Sequence, residues 1–309
     1  MLSGILNLDK PRGMTSHDMV AAVRRILGIK AVGHTGTLDP EASGVLVLCL
    51  GEATQFARFF ENLEKTYWTV LQLGVCTDTQ DTTGTVTRQC EVPSITPTQL
   101  HNVLARFQGA LQQVPPMYSA VKYRGQRLYR LARQGKTVPR QARDIFVRRV
   151  ELLDQRATQI TLSITCSKGT YIRTLGEDIG LALGCGAHVL HLQRCRVGHF
   201  SLQSACSLSV LQHQMQTGTV SHTFIPVTEA LSFLPSLMLT LQQYDDLCIR
   251  QVGALSTILD TLQPVPQHAS GYRLCIPSQK TVAVIQRHFS PAKMAKWKLY
   301  VPPSVLGNS

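Results

Sequence analysis

Between Gly33 and Gly51 the chain reads GHTGTLDPEASGVLVLCLG. Its first half, broken by glycine and proline, reads as a loop rather than a regular element. Its second half is a continuous apolar run, as expected of a strand buried on both faces. Such a strand needs a sheet covered by other elements. The loop that feeds it is short, stiff and mounted on rigid structure, and it holds one aspartate, Asp39. Gly33, Gly36 and Gly44 let backbone pass close to other groups. An aspartate before proline ordinarily forms a turn. Here it is also a candidate for a carboxylate held still for chemistry.

The flanking sequence supplies the rest of an α+β pattern. Ile5 to Leu8 reads as a strand, followed by a turn at Pro11–Gly13. Ser16 is the expected N-cap of a helix carrying Met19, Val20, Val23, Ile26 and Leu27 on one face, and Gly28 ends it. Ala53 to Leu63 reads as a helix. KTYWTVLQLGV reads as a strand, and TDTQDTTG as a turn into GTVTRQ. Thr96 to Phe107 is helical. QRLYRLARQG is expected to form a helix with Arg127, Arg130 and Arg133 at i, i+3 and i+6. VRRVELLD and QITLSITC are strands, Tyr171 to Leu183 is a helix, and Ala187 to Leu202 contains at least one strand. VTEALSFLPS reads as a closing helix. Beyond Leu237 come a helical piece, Gln242 to Val252, and strand-like pieces (GYRLCIPS, TVAVIQRHF, KLYVPP). The expectation is one large domain over residues 1–236 and a small, mostly β domain over 237–309.

The chain has 309 residues, 44% of them hydrophobic, enough for a full core. Its net charge is +12. Between Lys122 and Arg149 ten Lys/Arg face a single acid, Asp144, so this segment supplies +9 of the total. Eight of the ten are arginine, whose planar fork suits phosphate and base stacking, so a polyanion is the expected partner. The nine cysteines are odd in number and contain no CxxC, which argues against a disulfide framework. No signal peptide and no apolar run of about 20 residues is legible. The chain is expected to be cytosolic and reduced.

Several chemistries are disfavoured. Cys185, His188, His191 and Cys195 have metal-like spacing, but on a strand they do not share one face, so no metal is expected. No GxxxxGK[ST] or GxGxxG follows a strand. No GxSxG marks a nucleophile elbow. That leaves Asp39, with Arg173 of GTYIRTL as a candidate cationic partner.

Taken together, the motifs resemble the TruB family of tRNA pseudouridine synthases. GHTGTLDPEASGVLVLCLGEATQ is similar to the family's catalytic motif and LDKPRGMTSHDMV to its KPxGxTS element. EKTYW with TDTQDTTG resembles the strand carrying the active-site tyrosine. PPMYSAVKYRGQRLY resembles the segment leading into an RNA-gripping insertion at about 120–150, and GTYIRTL and HLQRCRVGHF the late active-site motifs. They occur in family order over roughly residues 4 to 236. The small C-terminal part resembles the family's PUA-like domain more weakly.

The resemblance implies a pseudouridine-synthase core with a central mixed, mainly antiparallel sheet flanked by helices. It implies that uridine 55 of the tRNA T-loop is isomerised by breaking the C1′–N1 bond and forming C1′–C5, with no cofactor. Asp39 would be the catalytic carboxylate, Arg173 its ion-pair partner, and Tyr67 would stack on the uracil. Tyr171 and Leu192 would wall the pocket. His34 would fill the stack vacated by the flipped base. Lys10 and Lys122 would meet phosphate or shape the pocket, and Arg127, Arg130 and Arg133 would clamp the T-arm, with recognition by shape and splayed bases. Two other readings fit parts of this set: a pure RNA-binding module, and the catalytic subunit of a guide-RNA-dependent synthase. A first motif by residue 8 and the lack of long basic tails lead to the expectation of a stand-alone, monomeric enzyme needing no guide RNA and no membrane.

Overall fold

The computed structural model describes residues 2–250, 271–276, 281–290 and 293–300. Along the chain, β1 (Gly4–Lys10) leads to α1 (Ser16–Leu27), then β2 (Val32–His34) and β3 (Ser43–Leu50). A 3-10 turn over Gly51–Phe56 precedes the short α2 (Ala57–Glu61), where the sequence had predicted one continuous helix. β4 (Lys65–Leu73) is followed by the hairpin of β5 (Val75–Thr77) and β6 (Val86–Gln89). Next come α3 (Pro97–Ala105), β7 (Gly109–Gln113), a small hairpin of β8 (Lys122–Tyr123) and β9 (Gln126–Arg127), and α4 (Leu128–Ala132). The long hairpin of β10 (Arg143–Arg156) and β11 (Gln159–Cys166) leads into α5 (Ile172–Ala182), β12 (Ala187–Val197) and β13 (Phe200–Ser201). α6 (Leu208–Thr217) and α7 (Val227–Ala230) close the large core.

The central sheet runs β1-β3-β12-β4-β11-β10-β7, with β2 added to β3 and β13 to β12. Every pairing is antiparallel except β3 with β12, so the sheet is mixed and mainly antiparallel. One core packs α5 and α3 on the sheet through Leu71, Leu100, Leu162, Ile164, Leu175 and Ile179. A second packs α1 and α6 against β1 and β3 through Leu6, Leu8, Met19, Val23, Leu46 and Leu211. Burying such side chains contributes about 1.5–3 kcal/mol each before entropy is charged.

A second sheet, β14-β15-β16-β17, is formed by β14 (Ser236–Met238), β15 (Tyr272–Cys275), β16 (Thr281–Ser290) and β17 (Lys293–Tyr300), with α8 (Leu241–Arg250) between the first two. The predicted helical piece thus starts one residue earlier than expected. Its end at Val252, the tail of GYRLCIPS and the VPP of KLYVPP lie outside the described residues.

Ser16 is not the N-cap of α1. Thr15 is: its hydroxyl accepts from the Asp18 N–H at 3.0 Å, and the Asp18 carboxylate accepts from the Thr15 N–H at 2.8 Å, a capping box. Ser16 turns inward. Its hydroxyl accepts the Leu38 N–H at 2.8 Å and donates to the Leu38 carbonyl at 3.2 Å, pinning the residue before Asp39 to the helix.

Candidate active site

The 35–42 loop leaves β2 and enters β3, and three groups fix it from below. Ser16 holds Leu38. Lys10, with no solvent exposure, donates from Nζ to the carbonyls of Pro11 (2.8 Å), Met14 (2.6 Å) and Pro40 (3.1 Å). Arg194 of β12, also buried, donates from Nε to Val45 O at 2.7 Å and from a terminal nitrogen to Gly36 O at 3.0 Å. The strands meet so closely here that a Cβ on Gly44 (φ +102°) would lie 2.3 Å from the Arg194 carbonyl oxygen. Only glycine fits that junction.

Above this base Asp39 meets Arg173. The guanidinium donates from Nε to one carboxylate oxygen at 2.8 Å and from a terminal nitrogen to the other at 3.2 Å. Two of its three remaining donors go to Thr79 O (2.6 Å) and Tyr118 O (2.9 Å). The Arg173 side chain is 5% exposed, whereas that of Asp39 is 39% exposed. The cation is therefore locked and the carboxylate is oriented by a two-point fork while still facing the cleft. Asp81 brings a second carboxylate to 3.7 Å from Arg173 Nε. Its other oxygen is occupied by the hydroxyls of Thr79 (2.7 Å) and Thr83 (2.6 Å) and the Thr83 N–H (2.9 Å).

An open cleft of about 270 Å³ lies over this pair, lined by Asp39, Glu41, Ala42, Asp81, Thr82, Arg173, Val189, Leu190 and Leu192. Leu192 is one of these lining residues, whereas Tyr67 and Tyr171 are not. Tyr67 on β4 pairs in register with Arg194, two positions along β12 from Leu192. It is buried, and burial pushes its phenol pKa up against the pull of the adjacent Arg194 guanidinium. Tyr171 caps the start of α5 two residues before Arg173. Its N–H donates to the Gln113 side-chain oxygen at 2.8 Å and its carbonyl accepts from the Gln113 amide at 3.0 Å. His34 ends β2. Its Nδ1 is buried without a hydrogen-bond partner, its ring meets that of His17 edge-on at 6.4 Å, and burial lowers its pKa.

Of the two roles expected for Lys10, its geometry fits shaping the pocket rather than meeting phosphate: its ammonium is enclosed by three carbonyls, and burial lowers its pKa to about 8. One expectation needs correction. Arg127, Arg130 and Arg133 do not share a helical face. Arg127 closes β9 and its guanidinium donates to Ala120 O at 2.8 Å, so the helix begins only at Leu128. Lys122, Arg130 and Arg133 are exposed on this insertion, away from the cleft lining, with Arg133 over the Tyr129 ring at 5.6 Å. The stem of the insertion reaches the site through Tyr118 O. Of the four residues with metal-like spacing, His188 Nδ1 is 3.0 Å from Val75 O and His191 Nδ1 is 3.4 Å from Arg12 at the cleft mouth. Among the described residues no group of three or more His, Cys, Asp or Glu is placed to hold a metal.

Sequence reading passed over Asp81, Gln80, Gln113 and Arg194. Arg194 was detectable: on a strand it shares a face with Leu192, an inward position where arginine is costly unless paired. Asp81 sat inside TDTQDTTG, a segment read as a turn and as a companion to the tyrosine strand, without being singled out.

Comparison with known proteins agrees with this geometry. Residues 24–172 match the model of the TruB family pseudouridylate synthase N-terminal domain, and residues 173–265 that of the tRNA pseudouridylate synthase B C-terminal domain. Proteins named tRNA pseudouridine synthase B are similar at 47% identity in Geotalea uraniireducens, covering 77% of each chain, and at 45% in Chromohalobacter salexigens, covering 76% of each. Among solved structures, one of a Cbf5-Nop10-Gar1 complex matches with TM-score 0.72 and 24% identity, over 97% of this chain and 84% of that one. Another, of an archaeal box H/ACA sRNP Nop10-Cbf5 complex, matches at 0.67 and 22%, over 97% and 85%. These likenesses speak for the fold. With Asp39 and the α5 arginine paired at one cleft, and with family models spanning most of the sequence and relatives at 45–47% identity, the chain belongs to the TruB family of pseudouridylate synthases.

Proposed function

We propose that this enzyme isomerises uridine 55 in the T-loop of tRNA to pseudouridine. The observation that carries the reading is the Arg173 fork on Asp39, which orients one carboxylate toward an open cleft. As the C1′–N1 bond breaks, positive charge develops on the ribose, and Asp39 is the anion placed to meet it, as carboxylates do in glycoside hydrolysis. The uracil leaves as an anion, turns, and is rejoined through C5, whose proton then departs while N1 takes one up. No atom is gained or lost and no oxidation level changes, so the reaction calls for neither a redox cofactor nor a nucleotide. Arg173 holds the carboxylate, Tyr67 and Leu192 enclose the base, and His34 takes its place in the RNA stack. Lys122, Arg130 and Arg133 meet the phosphates of the T-arm, and the affinity they lend weakens with salt. The enzyme works alone in the cytosol as a monomer, without a guide RNA. Residues 1–236 act as its catalytic domain and 237–309 as a PUA-like domain.

The test uses an unmodified T-arm transcript incubated with the wild type or with Asp39→Asn, without cofactor. Pseudouridine is then mapped by carbodiimide primer-extension stops. A stop at the T-loop uridine with the wild type alone is expected. Tight RNA binding by both proteins with no stop from either would leave an RNA-binding module and overturn the reading.

A further inference from the structure

Between β5 and β6 the chain turns through Thr79, Gln80 and Asp81. Gln80 has φ +64°, a left-handed conformation that side chains other than glycine and asparagine seldom adopt. Its two neighbours both face Arg173: Thr79 through its carbonyl at 2.6 Å and Asp81 through its carboxylate at 3.7 Å. Gln80 itself reaches in another direction. Its amide oxygen accepts from the Thr174 hydroxyl at 2.8 Å, and its amide nitrogen donates to the Glu177 carboxylate. Its main-chain carbonyl accepts the Val189 N–H at 3.0 Å, from β12. Thr174 and Glu177 lie one and four residues after Arg173 on α5.

From this arrangement we infer that the Gln80 amide is a latch, closed on Glu177 and Thr174, that positions Arg173 and through it Asp39. The inference rests on the pseudouridine-forming reading of the cleft. Both ends of the amide are used, one as acceptor and one as donor, so the contact is directional. A turn in an unfavourable conformation persists only where its surroundings determine it. Here they do so from the helix that carries the arginine. Without the latch, Thr79 O and Asp81 are free to drift from the guanidinium, and the Asp39 fork loses its fixed reference. Misplacement by about 1 Å near reacting atoms can cost about 100-fold in rate. Neither Gln80 nor Glu177 lines the cleft, so substrate affinity is not directly at stake.

The experiment exchanges the partners. Gln80→Glu sets two carboxylates against each other. Glu177→Gln keeps an oxygen that can accept from Gln80. In the double variant, Gln80→Glu with Glu177→Gln, the donor sits on the helix and the acceptors on the turn, so the bond is remade in reverse. Single-turnover pseudouridine formation on the T-arm transcript, the RNA dissociation constant and the melting temperature are measured for each. Gln80→Glu is expected to lower the rate constant about 10- to 100-fold. RNA affinity should stay within about twofold and Glu177→Gln should remain near wild type, while the double variant recovers most of the loss, the mark of a direct pair. Gln80→Gly, which relaxes the turn but has no amide, should fold and still show the reduced rate. Wild-type rates from Gln80→Glu and Gln80→Gly would overturn the latch. So would a Gln80→Glu defect that the double variant does not repair, or one that tracks RNA affinity and melting temperature alone. An inactive wild type would instead overturn the reading of the cleft.

Discussion

Replacing Arg173 by lysine keeps the charge and removes the fork. In the native site the guanidinium makes four hydrogen bonds: two to Asp39, at 2.8 and 3.2 Å, and one each to Thr79 O at 2.6 Å and Tyr118 O at 2.9 Å. These acceptors lie around a plane that suits five N–H groups in a rigid array. An ammonium is a point with three donors, and from one position it cannot serve all four. At least one buried carbonyl is then left unsatisfied, at about 1–3 kcal/mol, and the two-point hold on Asp39 becomes a one-point hold. Because the arginine side chain is only 5% exposed, water does not readily take up the lost bonds. The expected cost is about 2–4 kcal/mol in unfolding free energy and at least about 100-fold in the single-turnover rate. Urea unfolding measures the first and quench-flow on a T-arm transcript the second. Asp39→Asn is the control: Asn retains an oxygen for Arg173 and Asp81 stays close, so stability should fall little while activity vanishes. A lysine variant with wild-type rate and a midpoint unchanged by urea would show that the fork does not hold the carboxylate.

Two further outcomes follow from the buried cations and the exposed ones. Burial lowers Lys10 and Lys65 to about 8 from the usual 10.5. A lysine with a depressed folded pKa binds fewer protons folded than unfolded above that pKa, so stability should rise with pH from about 8. Burial raises Cys49 to about 12 and Cys166 and Cys206 to about 11 from 9.0, so the unfolded chain sheds those protons first and stability should fall above 9. Thermal melts in reducing buffer should therefore peak near pH 9, and Lys10→Met should flatten the rise from 8 to 9; a monotonic decline from pH 7 would contradict the assignment. On the insertion, replacing Arg130 and Arg133 by glutamine should weaken T-arm binding and lower the slope of log K against log salt by roughly 0.7–0.9 per contact removed. An unchanged slope, measured by filter binding across salt concentrations, would remove both residues from the RNA interface.

Much of this site was legible because its residues come in compact local patterns. The GHTGTLDPEASG loop and the apolar run after it placed Asp39 beside a buried strand before any fold was known. The later motifs led to Arg173 and Leu192, which share the cleft with Asp39. What sequence could not give was the direction in which a polar side chain turns. Thr15 and Ser16 are both good capping residues, and the choice is made by Leu38, 22 residues away, whose backbone claims the Ser16 hydroxyl. Lys10 ends β1 just before a turn, and is buried because the carbonyls of two separate loops converge on it. QRLYRLARQG has helical spacing, yet its first arginine is tied to Ala120 O and the hairpin takes precedence over the helix. Each of these outcomes is set by a particular main-chain partner outside the element's own repeat, which periodicity does not register.

The buried cations also explain how one carboxylate can remain available. Lys10, Lys65 and Arg194 are enclosed beneath the loop, and each is satisfied by main-chain carbonyls: Pro11, Met14 and Pro40 for the first, Glu61 and Leu63 for the second, Val45 and Gly36 for the third. Among the described residues none of the three is within ion-pair distance of an acid. Burying unpaired charge is costly, and the usual remedy is a buried counter-ion. A carboxylate set beneath the loop would neutralise the cations, but it would also repel Asp39. Carbonyl dipoles solvate the charge without cancelling it. Lys10 consequently remains in electrostatic reach of Asp39, and the anion that faces the cleft sits over a base of fixed positive charge. Two of these carbonyls, Gly36 and Pro40, belong to the loop itself, so the bonds from Arg194 and Lys10 both solvate the cations and hold the backbone that aims the carboxylate.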